Sequence, residues 1–217
     1  MLMVIPSAAS IGLFAVAATL LLLTPGPAVL YIVARSVEQG RIAGLASVFG
    51  ITTGTLVHVL ASTLGLSALL ASSALAFALV KYAGAGYLIY MGVRRILRRP
   101  DTPASPSRLP RRTSGRLYRD GFIVNVLNPK TALFFLAFLP QFVDPARGAV
   151  PLQIAFLGLL FTLMGLTSDG LYALIAGTAG AWVKRHSRYL DWERYVSGSV
   201  FIGLGVTAAL AGGRKLS

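Results

Sequence analysis

The chain has 217 residues, 55 % hydrophobic and only 12 % charged, whereas a typical soluble domain is about a quarter charged, so the composition is that of an integral membrane protein. The absence of cysteine excludes disulfides, thiolate metal ligands and cysteine nucleophiles, and leaves the redox compartment unreadable. The formal net charge of +13 sits in loops and not on a basic face interleaved with aromatics, which argues against a nucleic-acid partner.

About 20 apolar residues cross a bilayer, and the chain offers six such stretches. The run Met1–Ala34 has no positive segment before Arg35 and is too long for a secretory signal, so it reads as an uncleaved first helix over 10–34, interrupted at Thr24-Pro25-Gly26-Pro27. The run Ile42–Val80 supplies spans at 42–66 and 73–93. Tyr82–Val93 alone is too short to cross, which draws Lys81 into the third span, where it either snorkels outward or belongs to a site as an ion-pair partner of Asp169. In the second span, Ala46, Gly50, Gly54, His58 and Ser62 form one stripe containing a Gly-xxx-Gly pattern, the signature of a close helix contact. His58 is then a hydrogen-bonded packing residue or a proton-coupling group. No second histidine lies at ligand spacing, so no metal is expected, and no residue pattern asks for a cofactor.

Between Arg94 and Arg119 stand nine arginines, one acid, Asp101, and four prolines. This stretch reads as a basic linker over 98–117, separating a first half, 1–97, from a second, 118–217. The second half holds spans at 120–142, interrupted by Asn128-Pro129-Lys130, at 152–180, and at 195–212. Asp169 lies 17 residues from Leu152 and 15 from Lys184, so no choice of ends brings it to an interface. It shares a helical face with Gly158, Thr162, Gly165 and Ala173, a stripe suited to close packing or a cavity. A lone carboxyl there is either a proton carrier or a structural group bonded to a neighbouring helix.

Lysine and arginine are distributed unevenly between the loops. Those after the first, third and fifth spans hold fifteen, and the other side holds Arg147, Arg214 and Lys215. Positive residues in short loops stay cytoplasmic, which puts both termini outside and the middle loop inside. Three spans in each half give the halves opposite orientations, so the expected fold is all-α, six transmembrane helices as two inverted three-helix repeats, with the first and fourth helices broken at their Pro motifs. Pro25 to Leu30 can be laid on Pro129 to Phe134.

In hydrocarbon a freed backbone group costs several kcal/mol, so a Pro-broken helix survives only where protein or a polar cavity satisfies it. Half-helices starting after Pro27 and Pro129 direct free N–H groups inward, and Lys130 adds positive charge, an arrangement suited to a carboxylate. The bland alternative is that each proline is only a kink.

The motifs Thr24-Pro25-Gly26-Pro27, Gly40-Arg41-Ile-Ala-Gly44, Leu79-Val-Lys81-Tyr-Ala-Gly84 through Gly92, Gly121-Phe-Ile-Val-Asn125-Val-Leu-Asn128-Pro129-Lys130 and Phe138-Leu-Pro-Gln-Phe-Val-Asp144-Pro145, in this order, resemble the lysine exporter (LysE/RhtB) family of small amino-acid exporters. The resemblance implies a bacterial inner-membrane exporter of amino acids or related metabolites, driven by the proton gradient, with cargo that differs among members. The Thr-Pro-Gly-Pro and Asn-Pro-Lys positions carry over directly; Asp169 and His58 rest on the argument above. The expectation is a secondary exporter whose pocket lies between the broken helices: Thr24, Pro25, Gly26, Pro27, Asn128, Pro129 and Lys130 hold the cargo, and Asp169 holds its ammonium group or a proton. Its partners are then a small-molecule substrate, protons and the lipid bilayer, with Ser199-xxx-Gly203 allowing a homo-oligomer. An intramembrane acid/base enzyme using His58 and Asp169, and a small-cation channel or carrier, are the alternatives.

Overall fold

The computed structural model describes residues 5–66, 74–97, 111–178 and 188–210, and all regular structure among them is helical. In chain order these are α1 (Ala8–Leu23), α2 (Pro27–Gln39), α3 (Arg41–Ala61), α4 (Ala74–Leu97), α5 (Ser114–Val126), α6 (Pro129–Leu133), α7 (Val150–Thr178) and α8 (Arg188–Leu210). A π-helical turn, Ser62–Leu66, extends α3, and α6 continues through a π-helical turn, Phe134–Phe138, and a 3-10 turn, Leu139–Phe142.

Two elements, Arg41–Gly65 and Val150–Thr178, are each long and apolar enough to cross a bilayer, and α1 with α2 and α5 with α6 make two more if each bent pair is one span. The outward side chains fit lipid. Leu13, Val16, Ile42, Leu60 and Leu163 are each more than 60 % exposed, whereas the buried set includes Arg35, Lys81, Lys130 and Asp169. Polar groups turned in and large aliphatics turned out are what a hydrocarbon solvent selects.

The breaks follow from proline sterics. Thr24 precedes Pro25 and is extended, with ψ at 113°, because the proline ring excludes the helical region for the residue before it. Gly26 is also extended, and Pro27 starts α2 at a position whose missing N–H costs nothing. The axis turns by 50° between α1 and α2. Asn128, ahead of Pro129, is extended with ψ at 108°, and α5 and the α6 segment meet at 44°. The first and fourth apolar stretches are therefore each two helices joined at a proline motif.

Helix α5 starts at Ser114, earlier than the span expected from 120. Contacts on its polar first turns account for this: Arg112 pairs with Asp120, and the Tyr31 hydroxyl of α2 donates to Leu117 O at 3.1 Å. Most of the basic linker, 98–110, and the cations Lys184 and Arg185 lie outside the described residues.

α3 packs along α5 and α7, and α4 packs along α8. At the first crossing Gly50 lies against the backbone of Tyr118, where any side chain would collide. Two apolar clusters fill the interior. Phe14, Phe134, Phe135, Phe138 and Phe161 anchor the larger, with Phe134 and Phe161 stacked at 4.7 Å between centroids. Ile32, Val48, Ile51 and Ala173 form the smaller.

Candidate functional site

Breaking a helix frees carbonyls, and their partners here define a site. Around the first break Leu23 O accepts the Tyr172 hydroxyl of α7 at 3.0 Å, and Thr24 O accepts the ammonium of Lys130, the second residue of α6. Thr24 is 2 % exposed, so without the Lys130 ammonium its carbonyl would carry a desolvation cost of several kcal/mol. Gly26 makes room for the lysine: a β-carbon there would stand 3.0 Å from Lys130 Cδ and 3.5 Å from Nζ. Lys130 Nζ also lies 5.9 Å over the ring of Phe201.

The second break is held by Asn125. Its amide donates to Ile51 O and to Thr55 Oγ1 of α3, both at 2.8 Å, and its Oδ1 accepts Asn128 Nδ2 at 3.3 Å and Thr131 Oγ1 at 3.1 Å. Asn128 in turn caps α6, accepting the Lys130 backbone N–H at 3.1 Å. With Asn125 itself only 2 % exposed, both ends of its amide are satisfied inside protein, as a buried polar group requires.

Asp169 projects from the middle of α7 and is 6 % exposed. Among the described residues it makes no hydrogen bond and no ion pair in contact; Lys130 is the cation whose charge acts on it. Both residues line one cavity of about 40 Å³, together with Gly26, Ala28, Val29, Thr52, Thr55, Asn125, Asn128, Thr131 and Thr162. Phe161 borders it from the larger apolar cluster and Ile51 from the smaller. At about 10–15 Å³ per water in this measure the space holds about three waters.

Of the residues singled out in the sequence, Gly26, Asn128, Lys130 and Asp169 meet around this cavity. Thr24 contributes its carbonyl, and Pro25, Pro27 and Pro129 act through the breaks. His58 is not among the lining residues: its Nε2 pairs with Asn125 O at 2.9 Å, and its ring stacks on Phe135 at 6.1 Å. Lys81 is buried with its ammonium 5.1 Å over the Tyr82 ring, and it does not line the cavity either. Asn125 enters the sequence analysis only within a motif, with no role of its own, and the threonines of α3 and α6 do not enter it. Their signal was present as an Asn-x-x-Asn spacing before Pro129 and a Thr52/Thr55 pair on one face of an otherwise apolar helix.

The LysE type translocator family model matches residues 19–212. An uncharacterized membrane protein of Pseudomonas aeruginosa is 31 % identical over 196 residues, 88 % of this chain and 90 % of its own. The homoserine/homoserine lactone efflux protein of Salmonella typhimurium is 31 % identical over 193 residues, covering 89 % and 92 %, and an uncharacterized membrane protein of Bacillus subtilis is 27 % identical over 202 residues, covering 89 % and 95 %. No solved structure matches the chain. The family match spans both proline breaks, the lysine and the aspartate, and nearly the whole length of the chain, which therefore belongs to the LysE type translocator family and is a membrane transport protein, not an enzyme.

Proposed function

We propose that this chain is a secondary exporter of small amino acids or their derivatives, homoserine and its lactone being the first cargo to test because a relative bears that name. The observation that carries the reading is the pair Lys130 and Asp169: opposite charges, each less than a tenth exposed, lining one cavity between two broken helices. A zwitterion bridges such a pair. Its carboxylate goes to the Lys130 ammonium and to the free N–H groups of Ala28 and Val29 in the first turn of α2, and its ammonium goes to Asp169. Hydroxyls of Thr52, Thr55, Thr131 and Thr162 give the cavity polar walls that suit a short, hydrogen-bonding side chain.

Proton antiport follows from one carboxyl with two alternative occupants. Asp169 releases its proton as it takes the cargo ammonium on the cytoplasmic side. Outside, the cargo leaves and a proton replaces it. Only the two filled forms reorient, so one cargo leaves for each proton that enters. The cavity of about 40 Å³ has no room for an amino acid, which supports a cycle in which this is a contracted state and the halves 1–97 and 118–217 move against each other to open the site to each side. The same reading takes six spans as two inverted repeats in a bacterial inner membrane, with both termini outside and the basic linker in the cytoplasm.

The test is export from cells and uptake by everted vesicles with Asp169→Asn. The variant is expected to lose pH-gradient-driven accumulation while inserting normally. Accumulation at the wild-type level would remove Asp169 from the mechanism.

A further inference from the structure

The inward stripe of α2 is Val29, Ile32, Arg35 and Ser36. Val29 lines the cavity, and Arg35, six residues on, stands about 9 Å along the axis toward the C-terminal end of the helix. Its burial is as deep as that of the site residues, at 5 % exposed, yet the guanidinium is poorly occupied. Nε and Nη1 make no hydrogen bond. The Glu38 carboxylate lies 3.9 Å from Nη1, beyond hydrogen-bonding distance. The Tyr31 ring lies 5.6 Å from Cζ, and the hydroxyl of that tyrosine ties α2 to α5 through Leu117 O at 3.1 Å.

A guanidinium stays charged throughout the physiological range, and removing it from water without hydrogen bonds is costly. The Glu38 ion pair at Nη1 and the dipole at the end of α2 favour a cation at this position, but neither gives Nε or Nη1 a hydrogen bond. Nε and Nη1 point to different edges of the guanidinium plane, and either can give a carboxylate oxygen one charge-assisted hydrogen bond. We propose that Arg35 is a second carboxylate-binding station, on the cytoplasmic side of the cavity, which captures carboxylate-bearing cargo and passes it to Lys130. This rests on the export reading and adds a specificity-determining residue to it: cargo with a free carboxylate uses the station, and a lactone, whose carboxyl is closed into the ring, does not.

Everted vesicles carrying the full chain, given labelled homoserine or homoserine lactone, report Vmax/KM for each at the cytoplasmic face. Arg35→Gln is expected to lower the homoserine-to-lactone ratio of Vmax/KM about tenfold, the size of one lost charge-assisted contact, mainly through KM. Arg35→Lys should recover part of the ratio. On the wild-type protein, homoserine and not the lactone should slow phenylglyoxal modification of Arg35, read by mass spectrometry, which needs no variant to fold. An unchanged ratio, both cargoes weakened alike, or equal protection by both overturns the station and leaves export standing. Uptake of neither cargo by wild-type vesicles defeats the export reading, and the station with it.

Discussion

Replacing Asn125 with alanine removes four hydrogen bonds at once. Two are donated to α3, to Ile51 O and Thr55 Oγ1, and two are accepted from Asn128 and Thr131 around the second break. Buried hydrogen bonds between membrane helices average about 0.6 kcal/mol each, so the four together are worth about 2–3 kcal/mol. The groups left behind do not suffer equally. Ile51 O keeps the Thr55 hydroxyl at 3.2 Å, and the Asn128 amide and Thr131 hydroxyl face the cavity, where water can replace part of what is lost. The expected destabilisation is therefore at the lower end, about 2 kcal/mol, which corresponds to a fall in Tm of about 4–8 °C for a chain of this size. Asn125→Asp separates the two halves of the network. It keeps both accepted bonds but sets an acceptor against Ile51 O, and the Thr55 hydroxyl can donate to the new carboxylate only by leaving Ile51 O, so it should cost at least as much as alanine despite equal volume. Thermal unfolding of the purified protein in detergent, followed by circular dichroism, measures both. A Tm within 1 °C of wild type for both variants would show that the break is held by proline geometry alone.

Lys130→Gln keeps a donor to Thr24 O and removes the charge, so transport of homoserine should fall at least tenfold in Vmax/KM while Tm moves by only a few degrees, checked by vesicle flux and thermal unfolding in parallel. Gly26→Val places branched carbons where Lys130 Cδ already lies 3.0 Å from a β-carbon position, and it should impair flux as strongly as Lys130→Gln; wild-type flux would show that the lysine takes another route past α2. His58→Gln preserves a donor to Asn125 O and should retain proton-driven accumulation, whereas loss of pH dependence with normal insertion would return His58 to the coupling path.

The proline breaks were legible because proline acts on its immediate neighbours: the conformations of Thr24 and Asn128 follow from the residue after each, whatever the fold around them. Asp169 was legible because an ionisable residue within a long apolar run has few neutral explanations. Asn125 was not, because its importance lies in partners on α3 about 70 residues away in sequence, and nothing local distinguishes an asparagine that bridges helices from one that caps a turn. His58 shows the converse. Its stripe announced a close helix contact, which Gly50 and Gly54 make against α5, and the contact consumes the side chain at Asn125 O, so the same geometry kept it from the cavity. Arg35 looked like the first residue of a cytoplasmic loop, yet α2 continues to Gln39 and takes it inside.

The two sides of the cavity are closed by different chemistry, and under the proposed cycle that difference sets what each opening must overcome. Toward the C-terminal end of α2 the closure is polar: the Tyr31 hydroxyl on Leu117 O, the Arg112 N–H on Gln39 Oε1 at 2.6 Å, and the Arg112 pair with Asp120. Water can replace every one of these bonds, so their net worth is about 1 kcal/mol each. On the side of Phe161 the closure is a cluster of rings, Phe134, Phe138, Phe14 and Phe142, with neighbouring centroids 5.2–5.8 Å apart. Parting them exposes apolar surface that water does not compensate. The polar side therefore opens at lower cost in the proton-loaded carrier, which keeps the site available to the compartment that holds the cargo, and the aromatic side opens when the binding energy of cargo is committed to it.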